Sequence, residues 1–310
     1  MQVPIARFWL CPLYSFASYS ENVALDEGIR IKSDLPGLRD YIRERSHGRY
    51  GRCDDPSTYN AVLLLPYRAE DKGVSDPAER MQIGFEENDR ARDLLFGLVT
   101  ALRLCHEGKI TMGLLIFSSI NHDSKWSIGG TMVWTPVSQR DSFHQDPKYV
   151  LQQADVPQVN KLVGNLAELR KLEKLEAINI ALRRFNSAYH GYIEDRLIDQ
   201  MIAFESLFLG DVQELTYKLA LRVAFLLGKR KKTIFDDMKK AYKYRSGIVH
   251  GNMEVDCARL KEITPKSEEY LRQSIKKFLI LLSKGMSLKQ IRDKLDKNIL
   301  TNGRTLARVE

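Results

Sequence analysis

The chain has 310 residues, of which 44% are hydrophobic and 28% charged, and this composition excludes a disordered or fibrous protein. The length favours two domains of ordinary size. The longest apolar runs fall well short of the roughly 20 residues that cross a bilayer, so we expect no membrane contact. Because Arg7 interrupts the first apolar segment, we expect no secretion signal and a cytoplasmic location.

The four cysteines, Cys11, Cys53, Cys105 and Cys257, lie far apart and form no CxxC pair. Cys105 and His106 are adjacent, which is poor spacing for two ligands of one metal. We therefore expect reduced thiols, no metal and no cofactor.

Strand-length apolar runs in the first half are bounded by turn residues such as Pro12, Pro66 and Gly108; they are Arg7–Cys11, Tyr59–Leu65, Met112–Ser118 and Thr131–Trp134. One helix is expected between a cap at Asn88 or Asp89 and a stop at Gly108. The acid pairs Asp54-Asp55 and Glu86-Glu87 are interpreted as solvated charge. Residues 1–150 thus predict a mixed α/β domain, and no motif in it indicates a role.

The second half loses the strand-like alternation. Apolar residues recur at helical spacing over Val159–Phe185 and Leu197–Leu209, and signals for further helices follow: a capping box at Asp211 and Glu214, a stop at Gly228, a start at Thr264-Pro265, and a box at Ser287 and Gln290. Short connections between these helices predict a bundle over residues 156–300. The boundary is expected in Asp141–Pro157, and the chain as a whole is predicted to be α+β.

The net charge of +8 is unevenly distributed. Residues 1–150 carry 18 basic and 20 acidic side chains, whereas residues 151–310 carry 30 basic and 20 acidic ones. The densest run includes Lys229, Arg230, Lys231, Lys232, Lys239, Lys240 and Lys243. It predicts a polyanionic partner such as RNA, with a solvated helix face as the alternative.

One segment in this half differs from ordinary packing. Arg245 and His250 bracket a short apolar stretch, with Ser246 after the arginine and Gly251 after the histidine. Five residues of helix turn the two side chains about 140° apart, so they converge only if Arg245 lies in a first turn and curls round. Arg184 and His190 have a comparable spacing, but they end an amphipathic helix and have no lysine cluster beside them.

Three blocks occur in a specific order: Arg196–Leu209, Glu214–Gly228, and Tyr244–Gly251 after the lysine-rich run. In this order they resemble the Apea-like branch of the HEPN superfamily, over about residues 160–283. The resemblance implies an all-α HEPN-type bundle, a homodimer, and a metal-independent endoribonuclease of toxin–antitoxin or anti-phage defence systems. Its R-x4-6-H motif would be Arg245 and His250, with Ser246 as the polar residue after the arginine.

The residues suit that chemistry. Cleavage of RNA by its own 2′-hydroxyl needs a base, an acid and a cation for the developing phosphorane charge. Imidazole supplies the first two near neutral pH, and guanidinium offers a planar fork to phosphate oxygens. A two-fold dimer would place two copies of each in one cleft.

Other interpretations stay open at this level. Arg245 could pair with Asp236, Asp237 or Glu205; His250 could cap a helix C-terminus and Ser246 a helix start. Glu205, on an apolar helix, is expected to pair with Arg222 rather than act in catalysis. The alternative function is a non-catalytic HEPN scaffold or RNA-binding module; a DNA-binding regulator is less favoured, because no helix-turn-helix pattern is present. An antitoxin or defence-system protein would be a further partner.

Overall fold

A computed structural model describes residues 6–35, 37–46, 59–67, 77–113, 115–120, 126–127, 132–133, 148–171, 176–210, 215–251 and 256–301. Contacts between residues divide the chain into two compact units, and the division falls between Val163 and Gly164. The expected boundary, Asp141–Pro157, precedes this position. The second unit therefore begins inside a helix rather than at a linker.

Antiparallel strands form the centre of the first unit. The strands are β1 Ala6–Tyr14, β2 Phe16–Ser18, β3 Asn22–Ala24, β4 Arg30–Lys32, β5 Ala61–Pro66, β6 Thr111–Met112, β7 Leu115–Ile120, β8 Trp126–Ser127, β9 Met132–Val133 and β10 Tyr149–Leu151. The main sheet has the order β3-β4-β5-β1-β7-β8, with β6 paired to β1 and β9 to β7. Strands β10 and β2 form a separate parallel pair.

Helices α1 Leu38–Ser46 and α2 Pro77–Cys105 belong to the same unit. Every residue of β5 from Ala61 to Leu65 is buried. A strand buried at consecutive positions is covered on both faces. Leu38 and Ile42 of α1 belong to a core cluster with Leu10, Val62 and Leu64 on one face.

The predicted helix of the first half is longer than expected. It begins at Pro77, so Asn88 and Asp89 lie in its interior and do not cap it. The apolar residues of its first turns, Met81, Ile83 and Phe85, follow one another at two-residue steps, so they carry no helical period from which a start could be read. Proline is tolerated in a first helical turn because the N–H it lacks would have no partner there. The interpretation of Glu87 as solvated is also wrong: it is buried and pairs with Arg90 at 2.9 Å.

Two strand boundaries also differ from expectation. Pro12 does not end β1 but lies within it, opposite Val62 of β5, and its carbonyl accepts the N–H of Gly113 at 2.7 Å. The expected strand Met112–Ser118 is two strands, β6 and β7, with Gly113 between them. A Cβ at Gly113 would lie 3.1 Å from the Pro12 carbonyl oxygen, so a larger residue at position 113 would crowd β1.

The second unit is helical throughout its described residues. Its helices are the later part of α3 Val156–Lys171, then α4 Glu176–Ser187, α5 Ile193–Phe208, α6 Leu215–Leu227, α7 Lys231–His250, α8 Cys257–Ser283 and α9 Leu288–Leu300. The core contains Phe204, Phe208 and Phe278, with the last two rings 5.1 Å apart in an edge-on arrangement. The structure is therefore α+β, as predicted.

Several helix ends follow the sequence signals and one does not. Gly228 ends α6 with φ +78°, and Ser287 with Gln290 forms the expected capping box of α9. Asp211 and Glu214 lie outside the described residues. Thr264-Pro265 does not start a helix: α8 begins eight residues earlier, at Cys257, where the Asp256 carboxylate accepts the N–H of Ala258 at 2.9 Å. Pro265 is accommodated inside it.

The run Val159–Phe185 is two helices, α3 and α4, rather than one. Within the part of the chain that the structure describes, no helix is both long and apolar enough to cross a membrane. Cys11, Cys105 and Cys257 form no disulfide with one another.

Candidate functional site

Helix α7 carries most of the residues singled out in the sequence. It starts after Arg230, whose left-handed backbone (φ +50°) breaks it from α6, and it ends at Gly251, also left-handed (φ +65°). Ile234, Met238 and Ala241 lie three to four residues apart and are buried. This spacing fixes one face of α7 in the core and leaves the opposite face to solvent.

Arg245 lies near the C-terminal end of α7, not in a first turn as convergence with His250 required. It sits near the bundle, where its Nη2 atom is 3.5 Å from Oε2 of Glu205 on α5. The two side chains are 21% and 24% exposed, so the pair is reachable from solvent. The expected pairing of Glu205 with Arg222 is wrong, and the alternative in which Arg245 pairs with Glu205 is the one observed.

Arg222 has other partners. Its guanidinium forms two hydrogen bonds to the carboxylate of Asp296 on α9, at 2.8 and 2.7 Å, and donates to the Phe208 carbonyl. Periodicity located Arg222 on a helix but did not indicate that α9 packs beside α6. The paired carboxylate is thus supplied by a helix 74 residues further along the chain.

Tyr242 completes a small cluster with Glu205 and Arg245. Burial raises the pKa of the Tyr242 phenol, and the negative charge of Glu205 together with a hydrogen bond to it adds to the rise, while Arg245 opposes it. The Arg245 guanidinium carbon lies 5.9 Å from the centre of the Tyr242 ring. We call these three residues the Glu205 cluster; it holds the Arg245 cation in place without burying it.

His250 is the last residue of α7 and is exposed, and its side chain forms no hydrogen bond, ion pair or ring contact with the described residues. It lies on the same helical face as Lys232, Lys239 and Lys243, which precede it at steps of seven and four residues. Arg245 points about 140° away from that face. Within one chain the motif's arginine and histidine therefore diverge.

Ser246 follows Arg245 directly and is half-buried. It lies in the interior of α7, so the interpretation of this serine as a helix-start cap is wrong. Its position lies within about 40° of His250 around the helix axis.

The seven cations of the lysine-rich run are Lys229, Arg230, Lys231, Lys232, Lys239, Lys240 and Lys243. All are exposed except Lys231, which is half-buried, and within the described residues none lies within 4 Å of a carboxylate. Of the two acids of α7, Asp237 is buried and accepts from the Tyr270 hydroxyl at 2.9 Å, so Asp236 alone is exposed with these cations. A concentrated positive surface results.

The positive surface changes the pKa of a nearby lysine, Lys277. Lys277 of α8 donates from Nζ to the Leu226 carbonyl at 2.8 Å. Desolvation of that ammonium group lowers the pKa of Lys277, and the charge of Lys229 lowers it further. The positive potential of the run thus acts on groups outside it.

Sequence reasoning missed two aromatic side chains on α6, Tyr217 and Phe225, which lie beside the lysines of α7. Phe225 lies under Lys231, and Tyr217 contacts Phe235. The only signal for them was their spacing with Leu221 at four-residue steps, which also fits a buried helix face.

One group of side chains in the first unit could hold a metal. Donor atoms of Cys105, His106 and Asp155 lie within 4.8 Å of one another. His106 Nε2 is 2.6 Å from one Asp155 oxygen, and the other oxygen accepts the N–H of Gln152 at 2.7 Å. In this structure the His106 ring and the Asp155 carboxylate form a hydrogen-bonded pair.

Arg184 and His190, the comparison pair, lie apart from the lysine run. The Arg184 Nη1 atom donates to Asp199 at 2.8 Å, and burial raises the pKa of that aspartate. His190 lies in the turn after α4. These residues serve as controls for the Arg245–His250 motif.

Comparisons with family models, curated proteins and solved structures give no match to this chain.

Proposed function

We propose that the chain is a metal-independent HEPN-type endoribonuclease that cleaves RNA through its 2′-hydroxyl and acts in the cytoplasm as a toxin or anti-phage effector. The observation that carries the proposal is the Glu205 cluster, because it holds Arg245 at a solvent-reaching position five residues before the exposed His250. The order of the three sequence blocks supports it independently. The helical second unit would then be the HEPN-type bundle.

The residues have distinct roles in this proposal. Arg245 stabilises the charge that develops on the phosphate oxygens, since a guanidinium binds phosphate through a planar fork of N–H donors. His250 transfers protons to or from the 2′-hydroxyl and the leaving oxygen, as an imidazole does near neutral pH. Ser246 offers a hydroxyl to the same phosphate. The phosphodiester P–O5′ bond breaks as the 2′-oxygen bonds to phosphorus, leaving a cyclic 2′,3′-phosphate.

A homodimer would bring an Arg245 and a His250 to the same phosphate. In a single chain Arg245 and His250 point about 140° apart, so one copy does not present both to the same phosphate. A two-fold axis near the end of α7 would bring the His250 of one protomer toward the Arg245 of the other. Val249, half-exposed next to His250, is an apolar side chain that such an interface would cover.

The test is cleavage of RNA by the purified protein in EDTA, with analysis of the products' ends. His250→Ala and Arg245→Ala should each reduce the rate about a hundred- to ten-thousand-fold, the usual effect of losing one proton-transfer group or one transition-state cation. The matched control is His190→Ala, which removes a histidine outside the site and should leave the rate unchanged. Circular dichroism melting of each variant checks that the fold is intact.

The outcome that contradicts the proposal is equally specific. If cleavage by His250→Ala equals that of the unchanged protein, His250 has no part in the chemistry. Mixed dimers of Arg245→Ala and His250→Ala chains test the shared site: recovered activity supports a composite cleft. A monomer in sedimentation that still cleaves RNA contradicts the dimer.

A second candidate is a non-catalytic HEPN protein that binds RNA or acts as a protein scaffold. It is favoured by the Glu205–Arg245 ion pair, which gives Arg245 a structural partner within one chain. This protein would bind RNA without cleaving it, and His250→Ala would not alter the binding. The EDTA assay therefore separates the two candidates, and co-purification tests for an antitoxin or defence-system partner.

A further inference from the structure

An exposed aromatic ring lies at the edge of the lysine-rich face. Tyr217 of α6 is 55% exposed, and its ring centre is 5.4 Å from that of Phe235 on α7, with the two planes nearly perpendicular. Phe235 supports Tyr217 from one side, so the ring is held in place while more than half of its surface remains accessible.

Lysines flank these rings directly. The Lys231 ammonium is 4.1 Å from the ring centre of Phe225, and the Lys239 ammonium is 5.5 Å from that of Phe235. Contacts between cations and ring faces fix these long side chains near the surface. We call the set Tyr217, Phe225, Lys231, Phe235 and Lys239 the aromatic–lysine strip.

The positive charge of the strip favours binding of an anionic molecule. Lys231 and Lys239 have no carboxylate within 4 Å among the described residues, and Lys232 and Lys243 continue the charge along α7 toward His250. Cations spaced along a helix with aromatic rings between them combine the two features that bind a single strand: phosphate neutralisation and base stacking.

We propose that the aromatic–lysine strip binds single-stranded RNA, with one base stacked on Tyr217 and the adjacent phosphates on Lys231 and Lys239. This inference rests on the proposed function and specifies its substrate class. In a duplex the bases are stacked on one another and unavailable to Tyr217, so a duplex contacts only the lysines. The strip therefore favours unpaired RNA and leads it along α7 toward His250.

The test measures binding without cleavage. Fluorescent 12-nucleotide RNA carrying 2′-O-methyl groups lacks the hydroxyl that cleavage requires, and it is offered either as an unstructured strand or as a duplex of the same length. Tyr217→Leu should weaken binding of the single strand about ten-fold, because stacking of a base on an aromatic ring contributes that much or more. Binding of the duplex should change less than two-fold.

Two matched variants isolate stacking from other effects. Tyr217→Phe keeps the ring and should bind the single strand like the unchanged protein. Tyr192→Leu removes another exposed tyrosine, 63% accessible at the start of α5, and should have no effect on either RNA.

The outcomes separate this inference from the proposed function. If Tyr217→Leu binds the single strand normally while Lys231→Gln with Lys239→Gln weakens both RNAs, stacking is refuted and the proposed function stands. Equal losses for Tyr217→Phe and Tyr217→Leu also refute stacking, since the hydroxyl would then be the contact. If the unchanged protein binds neither RNA, this inference and the proposed function both fail.

Discussion

Two charged regions of the helical unit differ in whether their cations form ion pairs. Between α5 and α8, Glu268 is 3.0 Å from Arg196 and 2.7 Å from Arg272, and all three side chains are less than a tenth exposed. Along α7, the exposed lysines have no carboxylate within 4 Å among the described residues. The first region is a buried network of ion pairs, and the second is a row of exposed lysines that form no ion pair with a described carboxylate.

The comparison separates cations that stabilise the fold from cations that are available to bind another molecule. A buried guanidinium is tolerated only when a carboxylate and further hydrogen bonds compensate its lost hydration, as Tyr189 and Glu268 do for Arg272. An exposed lysine keeps its hydration and needs no partner in the chain. Removing charge should thus lower stability in the network and RNA affinity along α7.

The largest expected effect on stability is that of Glu268→Gln. The change removes the buried negative charge that Arg196 and Arg272 share, although Arg272 keeps its ion pair with Glu269, so we expect the free energy of unfolding to fall by about 3 kcal/mol. Urea denaturation measures it. The control is Glu262→Gln, an exposed acid on the same helix that pairs with Lys266 and should leave the midpoint nearly unchanged. Equal effects of the two changes would contradict the comparison.

A smaller loss is expected for Asp296→Asn. Asp296 is 43% exposed, and Arg222 keeps its bond to the Phe208 carbonyl, so the cost should be about 1 kcal/mol. Urea denaturation again provides the measurement, with the exposed Asp293→Asn on the same helix as the control. A loss as large as that of Glu268→Gln would show that exposure of the carboxylate does not set the cost.

Replacing Lys231, Lys232, Lys239 and Lys240 by Gln should lower the free energy of unfolding by no more than about 1 kcal/mol, because none of these lysines forms an ion pair among the described residues and the ring contacts of Lys231 and Lys239 are weak at a surface. RNA affinity should instead fall alike for all sequences, and the slope of log affinity against log salt should decrease by about 3 if each lysine contacts one phosphate of a single strand. Filter binding at several salt concentrations measures both.

The control for that variant replaces four other exposed lysines, which lie on α9 and just before it. They are Lys284, Lys289, Lys294 and Lys297. They carry the same total charge and should alter the slope less. If the salt dependence of affinity falls equally in both variants, the α7 lysines are an ordinary solvated face and not an RNA-binding surface.

The smallest effect concerns pH. The pKa of Lys277 is lowered in the folded chain by desolvation and then by Lys229, so the unfolded chain holds this proton more tightly. Stability should therefore increase as pH rises through the folded pKa toward the unfolded value of about 10.4. Lys229→Gln should reduce that increase, as measured by urea unfolding at pH 7 and pH 10. An identical increase in both proteins would remove Lys229 as a cause.

Much of the helical unit could be predicted from local signals. Gly228 and the Ser287–Gln290 box mark helix ends in the structure as they did in the sequence, because a left-handed glycine and a side-chain cap act within one turn. Pro265 was misleading for the same reason: its local preference for a first turn was overridden by the packing of α8, in which Ile263 and Thr264 are buried directly before the proline.

The candidate site was predicted in its residues but only in part in its pairings. Arg245, His250 and the lysines were identified from composition and order alone. The pairing of Arg245 with Glu205 was one of three that the sequence left open, whereas Glu205 itself was assigned to Arg222, because both arginines lie on later helices at plausible distances along the chain. Tyr217 was missed altogether, because an aromatic residue at helical spacing is read as core unless the neighbouring helix leaves it exposed.

By itself, the sequence determined that this protein has an α+β chain with a basic helical second half, because helix periodicity, capping and charge are properties of neighbouring residues. The tertiary structure alone decided that Glu205 meets Arg245, that Asp296 meets Arg222, and that Tyr217 stands exposed between lysines. These contacts join residues tens of positions apart, and they depend on which helices pack together and on which face, information that no local pattern contains.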